Sequence, residues 1–249
     1  TLPAVTSPPD FEFLRIERTD DDVVIATLDR PKVNALDTAL LLEIGELAGA
    51  LHAEPPGALV LPGGGRHFAA GADLTVFADP AFRQAQGDAF RSGFAALETV
   101  PCPTIAAVNG FCLGGGCELA MCCDLIVAAD NARFGQPEVN LGLIPGYGGT
   151  QRLIRRVGTQ RALELCVTAR MVKADEAVRI GLALEAVPAG EAVDRALGIA
   201  RLAMSKGPVA VKLAKRAIHA GAEMDLERGL ELEADLFGLS FQTADADEG

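Results

Sequence analysis

Short apolar runs and amphipathic stretches alternate along most of the chain. Residues 13–18 and 23–29 are rich in β-branched and apolar side chains, and the three aspartates between them predict a hairpin. A helix is predicted after Asp37, which can cap it, because leucines and an isoleucine recur on one helix face up to the prolines at 55–56. The first sixty residues therefore predict a strand–strand–helix unit.

The alternation continues further along the chain, with strands predicted at 58–61, 104–108, 125–129 and 182–187 and helices between them. This order predicts the α/β class. After about residue 190 the pattern becomes wholly helical, with segments predicted at 191–205, 209–220 and 226–239. We therefore predict a β/α core over residues 1–190 and a helical region over residues 191–249.

Charge and composition exclude several classes of partner. The chain has 249 residues and a formal net charge of −12, whereas nucleic acids and anionic membranes need a broad basic surface. Tryptophan is absent and there is one tyrosine, so stacking platforms for single-stranded nucleic acid are not expected. We therefore expect neither a nucleic-acid nor a membrane partner, and any anionic ligand must be bound by a local cluster of residues.

The sequence also shows no pattern typical of a targeting peptide or of a metal site. Residues 1–10 do not resemble a signal or transit peptide, and the longest apolar stretch, 105–129, contains polar residues and glycines that favour a buried core over a membrane span. The six cysteines and three histidines show no zinc spacing. We expect a cytoplasmic protein with reduced thiols and no metal site.

The most informative segment is 109–120, where three successive glycines lie between a turn and a short helix. Glycines here let the backbone approach a ligand and leave N–H groups of the helix start free to hold an oxyanion. Glu118 lies just inside this helix, where a buried acid is unfavourable unless it is paired or used. Two plainer readings stay open: the glycines serve tight packing, and Glu118 interacts with the helix dipole.

Two further segments add backbone donors and a second acid. Residues 66–74 contain a run of small residues directly after a predicted strand, although ordinary turns also contain such runs. Glu138 follows Pro137, and glycines at 146–149 form an open loop before another amphipathic helix. Walker, dinucleotide-binding and serine-hydrolase motifs are all absent from the sequence.

Taken in order and at these intervals, the three segments resemble the enoyl-CoA hydratase/isomerase (crotonase) superfamily, and its hydratase branch in particular. Residues 103–120 together with 134–138 look like the family signature, and the segment 30–36 matches its N-terminal motif. The resemblance covers nearly everything from Phe11 onward. It implies a crotonase-type spiral of repeated ββα units, closed by C-terminal helices that pack in a trimer, often paired into a hexamer.

The resemblance also implies roles for particular residues. The N–H groups of Ala70 and Gly115 would form an oxyanion hole, and Glu118 and Glu138 would hold one water that Gly146 helps to position. Further substrate contacts would come from Lys32, Ala35, Ala69, Ala72, Asp73, Leu74 and Gly114.

The implied reaction is reversible syn addition of water to a 2-trans-enoyl-CoA thioester. Glu118 would take a proton from the water and Glu138 would deliver one to Cα, without a cofactor, because coenzyme A is part of the substrate. An ordinary glutamate is a poor acid at neutral pH, so like charge and burial must raise at least one pKa of the pair. An isomerase is the main alternative, and a non-catalytic RNA-binding or scaffold member is another.

Two basic residues near the N-terminus are candidates for binding the CoA phosphates. Family members normally continue beyond the region 243–249 with a segment that carries basic and aromatic residues. The resemblance therefore leaves Lys32 and Arg30 as candidate cations for the phosphates, although ordinary surface charge explains them equally well.

Overall fold

A computed structural model describes residues 11–75 and 80–242, with side chains from residue 83 onward in the second range. The strands are β1 (Leu14–Arg18), β2 (Val23–Leu28), β3 (Ala58–Pro62), β4 (Thr104–Val108), β5 (Phe111–Leu113), β6 (Leu125–Ala129), β7 (Arg133–Gly135), β8 (Val172–Lys173) and β9 (Glu185–Val187). The helices are α1 (Thr38–Ala53), α2 (Pro80–Glu98), α3 (Gly115–Cys122), α4 (Gly149–Val157), α5 (Thr159–Thr168), α6 (Ala174–Arg179), α7 (Ala192–Met204), α8 (Pro208–Gly221) and α9 (Leu226–Ser240). A 3₁₀ turn spans Glu138–Leu141.

The strands form two sheets. The larger has the order β1-β2-β3-β4-β6-β9 and is parallel except for the antiparallel β1–β2 hairpin, which the sequence predicted. The smaller has the order β5-β7-β8. The chain leaves β4 for β5 and then forms α3, and it leaves β6 for β7 and then forms the 3₁₀ turn. Successive turns of the chain therefore place one strand in each sheet.

The central strands are continuously apolar because both faces of the large sheet are covered. Every residue of β3 and β4 is buried. One face packs into the main core with α1, α2 and α3. On the other face lies α7, whose Ala192, Ala196 and Ala200 recur every four residues and are at most 5% exposed. These small side chains let α7 approach the sheet closely.

Local signals explain where α1 begins. Asp37 has an extended backbone, and its side chain accepts a hydrogen bond from the Leu40 N–H at 2.9 Å, as an N-cap should. The helix then buries a stripe that includes Leu40, Ile44 and Leu47. The cap and the stripe predicted from the sequence are confirmed.

Helices α8 and α9 form a hairpin that is tied to the core by polar contacts around Asp124. That half-buried carboxylate pairs with His219 at 2.7 Å and with Lys215 at 2.8 Å, and Lys215 also donates to the Cys102 carbonyl at 2.8 Å. The boundary drawn at residue 190 stays a prediction, although α7 belongs to the layer that covers the large sheet.

The described cysteines are free thiols, and the described helices are those of a folded core. All six cysteines are unpaired, and five of them are buried, as predicted for reduced thiols. Within residues 11–75 and 80–242, every helix falls short of the length and apolar character that crossing a membrane requires.

Candidate active site

Glu118 is the most deeply buried acid of the site. It lies in the first turn of α3, an eight-residue helix whose residues are all buried, and it is 0% exposed. Its Oε1 accepts hydrogen bonds from the N–H of Tyr147 at 2.9 Å and of Gly149 at 2.6 Å. Its Oε2 is buried and has no hydrogen-bond partner among the residues that the structure describes. One carboxylate oxygen is thus fixed, and the other is free to bind a ligand.

Burial is the main influence on this carboxyl group. It raises the pKa of Glu118 to about 7, with a smaller contribution from the charge of Glu138. The two amide donors and the nearby Arg152 act in the opposite direction. Burial thus contributes more than the like charge that the sequence also suggested.

The loop before α4 supplies the donors to Glu118. Tyr147 and Gly149 lie in this loop, and the Tyr147 carbonyl accepts a hydrogen bond from Arg152 at 3.0 Å. Arg152 in turn forms a bidentate ion pair with Glu98 of α2 at 2.8 and 3.1 Å. The loop is therefore fastened on both sides, to Glu118 through its N–H groups and to α2 through Arg152.

Glu138 opens the 3₁₀ turn that follows β7, and it is half-buried. Burial raises its pKa as well. The neighbouring Gln136 is 1% exposed and, with its amide oriented to satisfy its surroundings, donates to the two Glu138 oxygens at 3.2 and 3.3 Å. A Cβ on Gly149 would lie 2.7 Å from Glu118 Oε1 and 2.9 Å from the Gln136 amide. Gln136 therefore lies close to both acids.

Two backbone N–H groups were predicted to bind an oxyanion, and they differ in their present partners. Gly115 is the first residue of α3, so its N–H cannot bond within the helix, and it has no acceptor among the described residues. The Ala70 N–H donates to the Val33 carbonyl at 3.0 Å. Within the described part of the chain, the Gly115 N–H is therefore free and the Ala70 N–H is bonded to a backbone carbonyl.

A cavity of about 460 Å³ joins these groups. Its walls include the predicted residues Ala70, Ala72, Leu74, Gly114, Gly115, Glu138 and Gly146, together with Tyr147 and exposed leucine and isoleucine side chains of the segment 141–144. Glu118 lies behind this wall, next to the Tyr147 N–H. The structure thus brings most of the predicted residues to one place. A larger cavity of about 670 Å³, lined in part by Arg66 and Arg133, contains none of them.

Four predicted contact residues lie outside the cavity lining. Asp73 is bound by Arg30 at 2.8 Å and by the Thr75 hydroxyl at 2.7 Å. Ala69 is fully buried, and its N–H and carbonyl bond to the backbone of β5. The other two, Lys32 and Ala35, are exposed and half-buried respectively.

Arg30 has carboxylate partners that account for its charge. Besides Asp73, it pairs with Asp37 at 3.1 Å and donates to the Ala35 carbonyl at 3.0 Å. Its guanidinium is therefore occupied within the protein, which argues against the role in binding CoA phosphates that the sequence left open.

Four residues hold the acids in ways that were not predicted from the sequence: Gln136, Tyr147, Gly149 and Arg152. A signal existed for Gln136, because an amide two residues before a candidate acid can reach it. None existed for the other three, since their contacts depend on how the loop before α4 folds back onto α3. Gly146 lines the cavity, and its predicted role with water stays a prediction.

This arrangement suits proton transfer next to a polarised carbonyl. Two carboxyl groups with raised pKa values lie beside one cavity, and a free backbone N–H at the start of a helix points to where an oxyanion could be stabilised. Among the described residues, no cluster of three or more potential ligands forms a metal site.

Comparisons with known proteins agree in pointing to one family. A family model described as enoyl-CoA hydratase/isomerase matches residues 18–249. The chain is 44% identical over 244 residues to a crotonyl-CoA hydratase of Syntrophomonas wolfei subsp. wolfei, covering 96% of this chain and 94% of that protein. It is 45% identical over 230 residues to a short-chain-enoyl-CoA hydratase of Clostridium acetobutylicum, covering 90% and 87%. The crystal structure of an enoyl-CoA hydratase from Bacillus anthracis superposes with a TM-score of 0.92 at 37% identity, covering 96% and 94%.

Proposed function

The chain belongs to the enoyl-CoA hydratase/isomerase family and is a hydratase of 2-enoyl-CoA thioesters, and we propose that Glu118 and Glu138 carry out its proton transfers. Its fold is the crotonase fold, as the sequence predicted. The observation that best supports the proposed roles is the pair of carboxyl groups with raised pKa values at one cavity.

The thioester carbonyl is activated by backbone N–H groups. Addition of water to the double bond places negative charge on the thioester oxygen, and a prepositioned donor typically contributes about 3 kcal/mol to stabilising that charge. The Gly115 N–H is available for this role. For Ala70 to be the second donor, the substrate oxygen must replace or share the Val33 carbonyl, so substrate binding rearranges one backbone hydrogen bond.

The free oxygen of Glu118 is the proposed base. Its Oε2 accepts a proton from the water as the water attacks Cβ, while Oε1 stays bound to the Tyr147 and Gly149 amides. Glu138 donates a proton to Cα. Atoms and charge balance without a cofactor: the water gives its hydroxyl group to Cβ and its proton to Glu118, and transfer of that proton to Glu138 restores the starting state of the pair.

Amide substitutions test these roles. Glu118→Gln and Glu138→Gln should each lower kcat for crotonyl-CoA hydration by about 10²-fold or more, because each removes a group that moves a proton. Binding of butyryl-CoA, measured by calorimetry, should survive in both variants. The matched control is Glu46→Gln on the exposed face of α1, which should keep its activity. Wild-type rates in either active-site variant would refute the assignment.

Of the two cations considered for the CoA phosphates, we propose Lys32 alone. Lys32 remains the candidate for the phosphates, since its side chain is exposed near the segment that bonds to Ala70, whereas Arg30 is held by two carboxylates. A Lys32→Ala variant should raise KM for crotonyl-CoA and leave kcat unchanged, because a phosphate contact binds substrate and transition state equally.

We also propose a homotrimer, or a hexamer of two trimers, assembled through the C-terminal helices. Large apolar side chains on and around α8 and α9 are exposed in the single chain, among them Ile218, Leu226 and Phe237, each more than 60% exposed. Such surface favours burial between subunits. Light scattering after size-exclusion chromatography measures the mass directly, and a monomer would contradict the proposal.

A further inference from the structure

Tyr147 is the single tyrosine of the chain, and it lines the cavity that Glu138 and Gly115 also line. Its backbone is fixed on both sides, by the hydrogen bond from its N–H to Glu118 and by the one from Arg152 to its carbonyl. The ring therefore cannot swing away with its backbone without disturbing the support of Glu118.

The ring is also fixed by aromatic packing. It stacks face to face on Phe90 of α2, with ring centroids 3.3 Å apart and an angle of 12° between the planes. Phe90 is fully buried and packs edge to face against Phe94, with centroids 5.0 Å apart. The Tyr147 ring thus rests on a rigid aromatic layer of the core and cannot be displaced inward.

This aromatic layer reaches the oxyanion donor. A Cβ on Gly115 would lie 3.2 Å from Cζ of Phe90, so the Phe90 ring packs against the backbone of Gly115. The two stacked rings therefore link the backbone of Gly115 to Tyr147, whose own N–H bonds to Glu118. Acyl carbons beyond Cβ must pass this wall, since Glu118 acts at Cβ in the proposed reaction.

From this packing we propose that Tyr147 limits the acyl chain, making the protein a hydratase of short 2-enoyl-CoA thioesters of about four to six carbons. The inference rests on the proposed function. The same cavity is also lined by the exposed apolar side chains of the segment 141–144, and a longer acyl chain could extend across them. A chain that took this direction would escape the limit that Tyr147 imposes.

The test is the dependence of kcat/KM on acyl length, measured with 2-enoyl-CoA substrates of four, six, eight, ten and twelve carbons. We expect the wild-type value to fall by at least about tenfold between four and ten carbons, because even one methylene that a hydrophobic pocket cannot accommodate costs about tenfold or more. Tyr147→Ala should raise the ratio of the ten-carbon to the four-carbon value by about tenfold or more. Tyr147→Phe keeps the ring and should keep the wild-type ratio.

The ratio separates chain-length selection from any effect on Glu118, because a change in the base alters all substrates alike. If Tyr147→Ala turns over too slowly to measure, the Kd values of butyryl-CoA and decanoyl-CoA should show the same change of preference. Equal wild-type values for four and twelve carbons, or an unchanged ratio in Tyr147→Ala, would overturn the inference. Neither result would touch the proposed function, which depends on crotonyl-CoA turnover and on its loss in Glu118→Gln.

Discussion

Replacing Glu118 by glutamine should change how the stability of the protein depends on pH. The carboxyl group is fully buried, and burial raises its pKa from an ordinary value of 4.5 to about 7. Glutamine has nearly the same shape, and its Oε1 can still accept the hydrogen bonds of Tyr147 and Gly149. The variant therefore removes the ionisation and keeps most of the packing.

The direction of this pH dependence follows from the number of protons that the folded and the unfolded states bind. In the unfolded chain Glu118 ionises near pH 4.5, whereas in the folded protein it keeps its proton up to about pH 7. Between these values the folded state binds more protons, so the free energy of unfolding falls by about 1.4 kcal/mol per pH unit as pH rises. Across the whole window the carboxyl group costs the folded state about 3 kcal/mol. Glutamine does not ionise and carries no such cost.

The assay is urea unfolding of wild type and Glu118→Gln at one protein concentration, from pH 5.5 to pH 8.5. The difference in unfolding free energy should move in favour of the variant by about 2 kcal/mol across this range. Glu46→Gln, on the exposed face of α1, is the control and should show no such trend. If the difference in unfolding free energy between Glu118→Gln and wild type did not change with pH, the raised pKa of Glu118 would be refuted.

Three other substitutions test the groups around the two acids. Gly114→Ala should lower kcat at least about tenfold and reduce Tm, because Gly114 has φ +50° and a Cβ there would lie 2.7 Å from Oε1 of Glu138; steady-state kinetics and calorimetry measure both. Gln136→Leu removes an amide donor that favours ionised Glu138, so the alkaline limb of kcat/KM against pH should move upward, and an unmoved limb would contradict that contact. Arg152→Met breaks a largely buried ion pair and should cost about 1–3 kcal/mol in urea unfolding, whereas Arg91→Met, at an exposed pair, should cost less than about 1 kcal/mol.

The central strands β3, β4 and β6 of the large sheet could be predicted well because each is a continuous apolar run between turn signals. Thr104–Val108 and Leu125–Ala129 have the predicted bounds, and Ala58–Pro62 ends one residue later. The predicted strand at 182–187 shortens to Glu185–Val187, since only these residues pair with β6. Both faces of the sheet are covered, which keeps the apolar pattern strong.

The small sheet was not predicted, and neither were the contacts that depend on it. Its strands have three, three and two residues, too few to show a period, and two of them contain or adjoin glycines. Contacts such as Arg30 with Asp73 join residues 43 positions apart, which no local pattern reveals. The acids themselves could be found because the resemblance marks them, whereas the amides of Tyr147 and Gly149 that hold Glu118 could not.

The small sheet nevertheless explains why groups from three parts of the chain meet. Strands β5 and β7 are parallel and pair Leu113 with Gly135, so the residues that follow them emerge at the same edge. Glu118 follows β5 by way of the glycines, and Glu138 follows β7. A parallel bridge between Ala69 and Cys112 brings Ala70 to that edge as well. Each turn of the chain thus delivers one chemical group at the same position: a backbone donor, a buried acid behind a helix start, and a half-buried acid. Burial raises the pKa of both glutamates, and Glu118 is the more deeply buried of the two.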